Sequence, residues 1–186
     1  MAFGSEMTGA TVNLDDAVFV ALGANLSPAG GSCVGALEAA MGELSRRGVA
    51  VLARSRPWCS AAWPDPAQPP FVNAVCRVET ARDPAALLAL LHAVEAGFGR
   101  RRGVANAART LDLDLIAYGR RVEAGPPTLP HPRAAERLFV MGPLAEIAPD
   151  WRDPLSGRTA LALARDADVG GDAQPAGAWP DAAAWR

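Results

Sequence analysis

Two aspartates, Asp112 and Asp114, stand two residues apart in the run ARTLDLDLIAYG, Ala108 to Gly119. Side chains alternate along an extended strand, so both carboxylates share one face while Leu111, Leu113 and Leu115 share the other. The leucines account for a core. The carboxylates repel one another and require cations or solvent on their side. One reading is an acidic, half-exposed strand surface. The other is a hard-cation site, because Mg²⁺ takes oxygen ligands, retains waters and is held by one or two carboxylates plus phosphate oxygens. Neighbouring residues favour the second: Arg100, Arg101, Arg102, Arg109, Arg120 and Arg121 set six cations against those two acids between residues 100 and 121. That local excess of +4, in a chain of net charge -2, suits a metal-polyphosphate ligand better than a simple anion.

Arg109 adjoins the acid-bearing strand and is the stronger phosphate-binding candidate; Arg100 to Arg102 read equally as a solvated loop. His131, in the proline-rimmed LPHPR, could donate to a phosphate or simply sit in an exposed loop. Phe71 and Phe139 fit core packing, yet Phe71 opens a strand directly after a proline loop, a position at a site's rim. Asn73 shares the face of Phe71 and offers donor and acceptor together, as the edge of a flat heterocycle requires. Glu95, near a helix end, faces either the site or solvent.

The chain of 186 residues fits one domain with a sizeable core. Twenty acidic and 18 basic groups give no overall positive balance to recruit nucleic acid or anionic lipid. All the basic residues are arginines, so mechanisms that need a lysine Schiff base or phosphate-loop lysine are excluded. Cys33, Cys59 and Cys76 are widely spaced and fit buried thiols in a reducing compartment rather than a disulfide framework or a zinc site. Neither a basic, apolar leader nor an 18-residue apolar run is present, and the expectation is a cytoplasmic protein without membrane or nucleic-acid partners.

Several elements must position these residues. A buried strand is expected over Ala17–Leu22, then a helix capped by Ser32 and running to about Arg47, ended by Gly48. A second strand follows over Val49–Trp58, a proline-rich loop over Cys59–Pro70, and a strand over Phe71–Thr80. Pro84 opens a helix to Gly97–Gly99, and the aspartate-bearing strand comes next. Strand, helix, strand, strand, helix, strand is the split βαββαβ unit: an α+β, ferredoxin-like fold with two helices on one face of a mainly antiparallel sheet. A hairpin through Arg120-Arg121, a Pro126-Pro127 loop and a third helix over Ala134–Ala145 complete it. Residues 16–165 form the expected domain, and 1–15 and 166–186 loosely ordered termini.

Four segments, VALGANL, FVNAV, RTLDLDLIAYG and LPHPRAAERLFVMGPLAEIAP, follow one another in an order and spacing that resemble the 6-hydroxymethyl-7,8-dihydropterin pyrophosphokinase family. The resemblance spans about residues 17 to 165 and implies transfer of pyrophosphate from ATP to the hydroxymethyl group of a reduced pterin, by a monomer. It implies that Asp112 and Asp114 hold two Mg²⁺ ions against the ATP phosphates. Arg100, Arg109 and His131 match residues on the triphosphate, Arg102 another arginine of a mobile catalytic loop, and Arg137 a basic position near the nucleotide. Phe71 and Phe139 fall where two rings sandwich the pterin, Asn73 where an asparagine bonds its edge, and Glu95 at an acid near the nucleotide. The loop departs from the family's Arg-Trp-Gly-Pro-Arg, with Asn106-Ala107-Ala108 in place of Trp-Gly-Pro. Trp63 stands in a second loop as a lid contact. Two other readings use the same residues: a non-catalytic ferredoxin-like nucleotide- or RNA-binding module, and a metal-dependent phosphohydrolase.

Overall fold

The computed structural model describes residues 13–27, 31–100 and 108–179. In chain order these form β1 (Val18–Ala24), α1 (Cys33–Arg46), β2 (Ala50–Arg54), β3 (Trp58–Ser60), β4 (Phe71–Glu79), α2 (Pro84–Gly97), β5 (Asp112–Tyr118), α3 (Leu138–Ile147), α4 (Ala160–Asp166) and β6 (Gln174–Pro175). The strands lie in the order β5-β1-β4-β3-β6, with β2 also paired to β4, and every strand pairing is antiparallel. This is the expected α+β, ferredoxin-like arrangement.

Two-residue alternation divides the molecule into two cores. Val18, Val20 and Leu22 of β1, Ala74, Cys76 and Val78 of β4, and Leu111, Leu113 and Leu115 at β5 pack against α1 and α2 through Leu37, Leu44, Leu87 and Leu91. Each of those helix leucines is fully buried, contributing about 1.5–3 kcal/mol relative to exposure. Phe19, Val75 and Ala117 point the other way, against Val140, Met141 and Leu144 of α3 and Leu163 of α4. The helix starts follow local chemistry: Ser32 Oγ accepts from Gly35 N–H at 3.0 Å, and Asp83 Oδ1 accepts from Ala86 N–H at 2.8 Å ahead of Pro84.

Elsewhere the chain departs from its local pattern. The strand expected over Val49–Trp58 is broken into β2 and β3, because Ser55 turns its hydroxyl into the ladder: Val75 N–H donates to Ser55 Oγ at 3.1 Å, while Ser55 N–H donates to Val75 O at 2.9 Å. The expected hairpin after Arg120-Arg121 shrinks to one bridge between Glu123 and Leu129, with Pro126 and Pro127 offering no N–H to extend it. The third helix starts at Leu138, not Ala134; the residues before it form turns in which Ala134 N–H donates to His131 O at 3.0 Å. Helix α4 was not expected, and the segment after it is seated: β6 pairs with β3, and Trp179 Nε1–H donates to Ser55 O at 2.7 Å. A loosely ordered tail does not describe residues 167–179.

Burial fixes the reactivity of one cysteine. Cys76 is fully enclosed with its sulfur 3.3 Å from Met41 Sδ, and burial pushes its thiol pKa up to about 12. Cys33 and Cys59 are partly accessible. At pH 8 a chromogenic disulfide reagent should therefore modify two thiols of the folded chain quickly and the third only on unfolding. Fast modification of Cys76 under native conditions would contradict this packing.

Candidate active site

On the α3 face of the sheet, β1 contributes almost no side chain between its neighbours. Gly23 is opposite Asp112 on β5 and Asn73 on β4, and Ala21 is opposite Asp114 and Val75. A Cβ on Gly23 would lie 3.3 Å from Asn73 Oδ1, 3.8 Å from Phe71 Cδ1 and 3.9 Å from Asp112 Cβ. This nearly bare strand floors a cleft of about 270 Å³ lined by Asp112, Asp114, Arg100, Arg109, His131, Arg133, Arg137, Phe71, Asn73, Phe139 and Trp63. Asp112 and Asp114 do point to one side, as their spacing predicts.

The two aspartates are held differently. Asp112 is paired on both oxygens: Arg100 Nη1 donates to Oδ1, and Arg109 Nη1 to Oδ2 at 2.6 Å. Asp114 accepts no hydrogen bond from the described residues. Its carboxyl pKa is raised, first by burial and then by repulsion from Asp112, against the attraction of His131, Arg137 and Arg100.

Both arginines are fixed from behind. Glu95, at 1% exposure, accepts from Arg100 Nη1 and, at 2.8 Å, from Leu113 N–H on the outer edge of β5. It therefore faces neither solvent nor the open cleft; it locks Arg100 to the acid-bearing strand. The backbone of Arg109 is clasped by Asn25, whose Oδ1 accepts the Arg109 N–H at 2.7 Å, while Asn25 N–H and Leu26 N–H both donate to Arg109 O at 3.1 Å. Asn25 Nδ2 reaches Pro69 O at 3.1 Å, tying this corner to the loop before β4.

His131 enters the cleft from the proline loop, its own N–H donating to Ile116 O at 2.8 Å. Arg133 N–H donates to His131 Nδ1 at 3.3 Å, which leaves the proton on Nε2. Burial lowers the imidazole pKa most strongly, Arg137 and Arg133 lower it further, and Asp114 opposes them. With Nδ1 accepting that bond, Nε2–H is the donor the ring offers to the cleft.

The two phenylalanines lie across the cleft, each with a cation at its ring: Arg109 Cζ is 5.9 Å from the centroid of Phe71, and Arg137 Cζ 5.6 Å from that of Phe139. Asn73 is buried between strands, its Nδ2 donating to Ser60 Oγ at 3.1 Å. Of the candidates from the sequence, Asp112, Asp114, Arg100, Arg109, His131, Arg137, Phe71, Asn73 and Phe139 line this cleft and Glu95 stands behind it, while Arg102 lies with Asn106 and Ala107 outside the described residues. Asn25, Gly23, Ser60 and Arg133 escaped the sequence reading. Only Asn25 left a signal, as the residue ending the VALGAN run, and its partner is 84 positions away.

A second cleft of about 400 Å³ adjoins the first and shares Asp114 and His131 with it, its other walls being Leu88, Leu115, residues 124–128 and Pro132. Among the described residues no group of three or more His, Cys, Asp or Glu side chains is placed to hold a metal. Two adjacent carboxylates, one of them with its pKa raised by burial and by its neighbour, nonetheless fit a hard divalent cation whose remaining ligands come from phosphate and water. No helix of the described residues is long and apolar enough to cross a membrane.

Comparison with known proteins assigns the chain to a family. The family model for 7,8-dihydro-6-hydroxymethylpterin-pyrophosphokinase matches residues 19–149. A 2-amino-4-hydroxy-6-hydroxymethyldihydropteridine pyrophosphokinase of Synechocystis is 40% identical over 150 residues, covering 80% of this chain and 75% of the relative. The protein of the same name in Methylorubrum extorquens is 36% identical over 133 residues, covering 71% of this chain and 82% of its own length. A folic acid synthesis protein of Pneumocystis carinii is 35% identical over 144 residues; the match covers 77% of this chain but only 19% of that longer protein. The match runs from within β1 to beyond α3 and takes in every described residue of the cleft: the chain belongs to the 7,8-dihydro-6-hydroxymethylpterin-pyrophosphokinase family.

Proposed function

We propose that the chain transfers the pyrophosphoryl group of ATP to 6-hydroxymethyl-7,8-dihydropterin, giving AMP and (7,8-dihydropterin-6-yl)methyl diphosphate. The observation that carries this reading is the place of Asp112 and Asp114: they stand on one face of β5, and Asp114 borders both clefts. One cleft offers two phenylalanine rings and a buried asparagine, the furniture for a flat heterocycle with polar edges. Its neighbour, walled by leucines and prolines, suits the base of the nucleotide. A triphosphate joining the two passes the carboxylates, Arg100, Arg109 and His131.

Asp112 and Asp114 would hold Mg²⁺, as two ions in the proposed complex; bound there, Mg²⁺ neutralises phosphate charge and polarises phosphoryl oxygens. The chain's own groups do the rest. Arg100 and Arg109 direct their remaining N–H donors at phosphate, with Glu95 and Asn25 holding them in place. Neutral His131 donates from Nε2 without adding another cation to an arginine-rich cleft. In the transfer, the pterin hydroxyl oxygen bonds to the β-phosphorus while the bond from that phosphorus to the α–β bridging oxygen breaks; AMP leaves with the bridging oxygen, and the hydroxyl proton is released. Positioning and electrostatics supply the acceleration.

AMP formation from ATP and Mg²⁺ should require the hydroxymethyldihydropterin, and Asp112→Ala or Asp114→Ala should each lower kcat by on the order of a hundredfold or more. AMP production unaffected by both substitutions would dismiss this site, and phosphate release without the pterin would favour the hydrolase instead.

The strained acid pair also has a stability consequence. A carboxyl whose pKa is raised on folding costs stability once pH exceeds its unfolded value, because the folded state resists the ionisation that the unfolded chain makes freely. Asp114→Asn removes that cost at neutral pH. With chelator and no nucleotide, its melting temperature should exceed the parent's by about 2–4 °C for each kcal/mol relieved, although activity falls. A lower melting temperature for this variant would show that Asp114 stabilises the fold.

A further inference from the structure

Beyond α4 the chain runs behind two residues that line the aromatic cleft, Phe139 and Ala61, instead of leaving the sheet. Leu138 N–H donates to Val169 O at 2.9 Å, and Val169 N–H donates to Glu136 O at 3.0 Å, so this residue is stitched to the turn that carries Phe139. Gly170 follows with φ +73°, and a Cβ built on it would lie 2.5 Å from Phe139 Cδ1 and 3.2 Å from Cε1. Both the left-handed backbone and the contact with the ring demand glycine there. Two residues later, the Asp172 carboxylate accepts the N–H of Ala61, which lines the same cleft and begins the segment leading to Trp63. Ala173 N–H closes the turn onto Gly170 O at 2.9 Å, and Ala176 N–H donates to Pro57 O at 2.8 Å just beyond β6.

Within four residues, then, one segment touches the ring on one wall and the backbone of the other. We propose that residues 169–172 are a positioning strap: Gly170 seats Phe139, Asp172 holds Ala61, and together they set the gap into which the flat substrate slides. The proposal rests on the pterin reading given above for that cleft. The strap meets the nucleotide side only at Val169, which bridges the backbone of Arg137; Gly170 and Asp172 touch Phe139 and Ala61 instead, so substitutions at those two positions fall on heterocycle affinity first.

The test is steady-state kinetics on Gly170→Ala, with thermal melting to verify folding. KM for the hydroxymethyldihydropterin should rise by about tenfold, whereas KM for ATP should stay within about twofold of the parent's. In the Phe139→Ala background, Gly170→Ala should add little, since the two act through one ring. An unchanged pterin KM, equal losses for both substrates, or full additivity with Phe139→Ala would each overturn the proposal. If Gly170→Ala does not fold, Asp172→Ala takes its place with the same expected split, and an unchanged pterin KM in that variant counts against the strap. Should the parent form no AMP with the pterin, the proposed function itself fails. The strap is then judged by the crystal structure of Gly170→Ala, or of Asp172→Ala in its stead: displacement of Phe139 or Ala61 respectively supports it, and an unmoved wall refutes it.

Discussion

The strand period of two governs everything else in this molecule. Once Leu111, Leu113 and Leu115 are buried under α1 and α2, Asp112 and Asp114 must emerge on the opposite face, however unfavourable their proximity. A one-residue slip of β5 would send both carboxylates into the leucine core, so the register is protected by the cost of burying two charges. The adjacent positions on β1 complete the device. Gly23 and Ala21 place nothing larger than a methyl group between the acids and the rings, and the carboxylates consequently look onto open space.

Electrostatic support is asymmetric. Asp112 is braced by two arginines, themselves braced by Glu95 and by Asn25; Asp114 is left in repulsion with Asp112 and under partial burial. A fold selected only for stability would compensate both acids or replace one. On the proposed reading, an under-compensated carboxylate beside a paired one gives a cation its place, and the rigid arginine forks beside it give phosphate oxygens theirs. The proposed ligand, a metal-bound polyphosphate, carries both signs and matches that division.

How much of this was legible in the sequence follows from the range of each interaction. Alternation in β5 and β4, the Ser32 cap and Pro84 are local signals, and they placed the sheet, two helices and the aspartate pair. The long-range clasps were not legible: Asn25 to Arg109, Ser60 to Asn73 and Ser55 to Val75 join residues whose own neighbourhoods say nothing of the partner. The tail was misjudged for the same reason. Its glycines read as breakers, but Gly170 has a positive φ and a ring against it, a requirement visible only once Phe139 is in place. Local sequence left Arg100 between the site and a solvated loop and Glu95 between the site and solvent, and the structure supplies the physical link between them through β5.

The two kinds of placement have different consequences for how such a site can vary. The carboxylates sit within a strand anchored by three buried leucines, where a displacement would disturb the whole core. The aromatic wall is assembled from chain ends and loops: Phe71 at the first residue of β4, Phe139 at the second residue of α3, and Ala61 just past β3. These meet only through contacts made by distant segments, and such contacts can change one at a time without reaching the core. On the proposed reading, the position of the electrostatic centre is tied to the core through β5, while the fit around the heterocycle is adjustable from positions far from it in sequence.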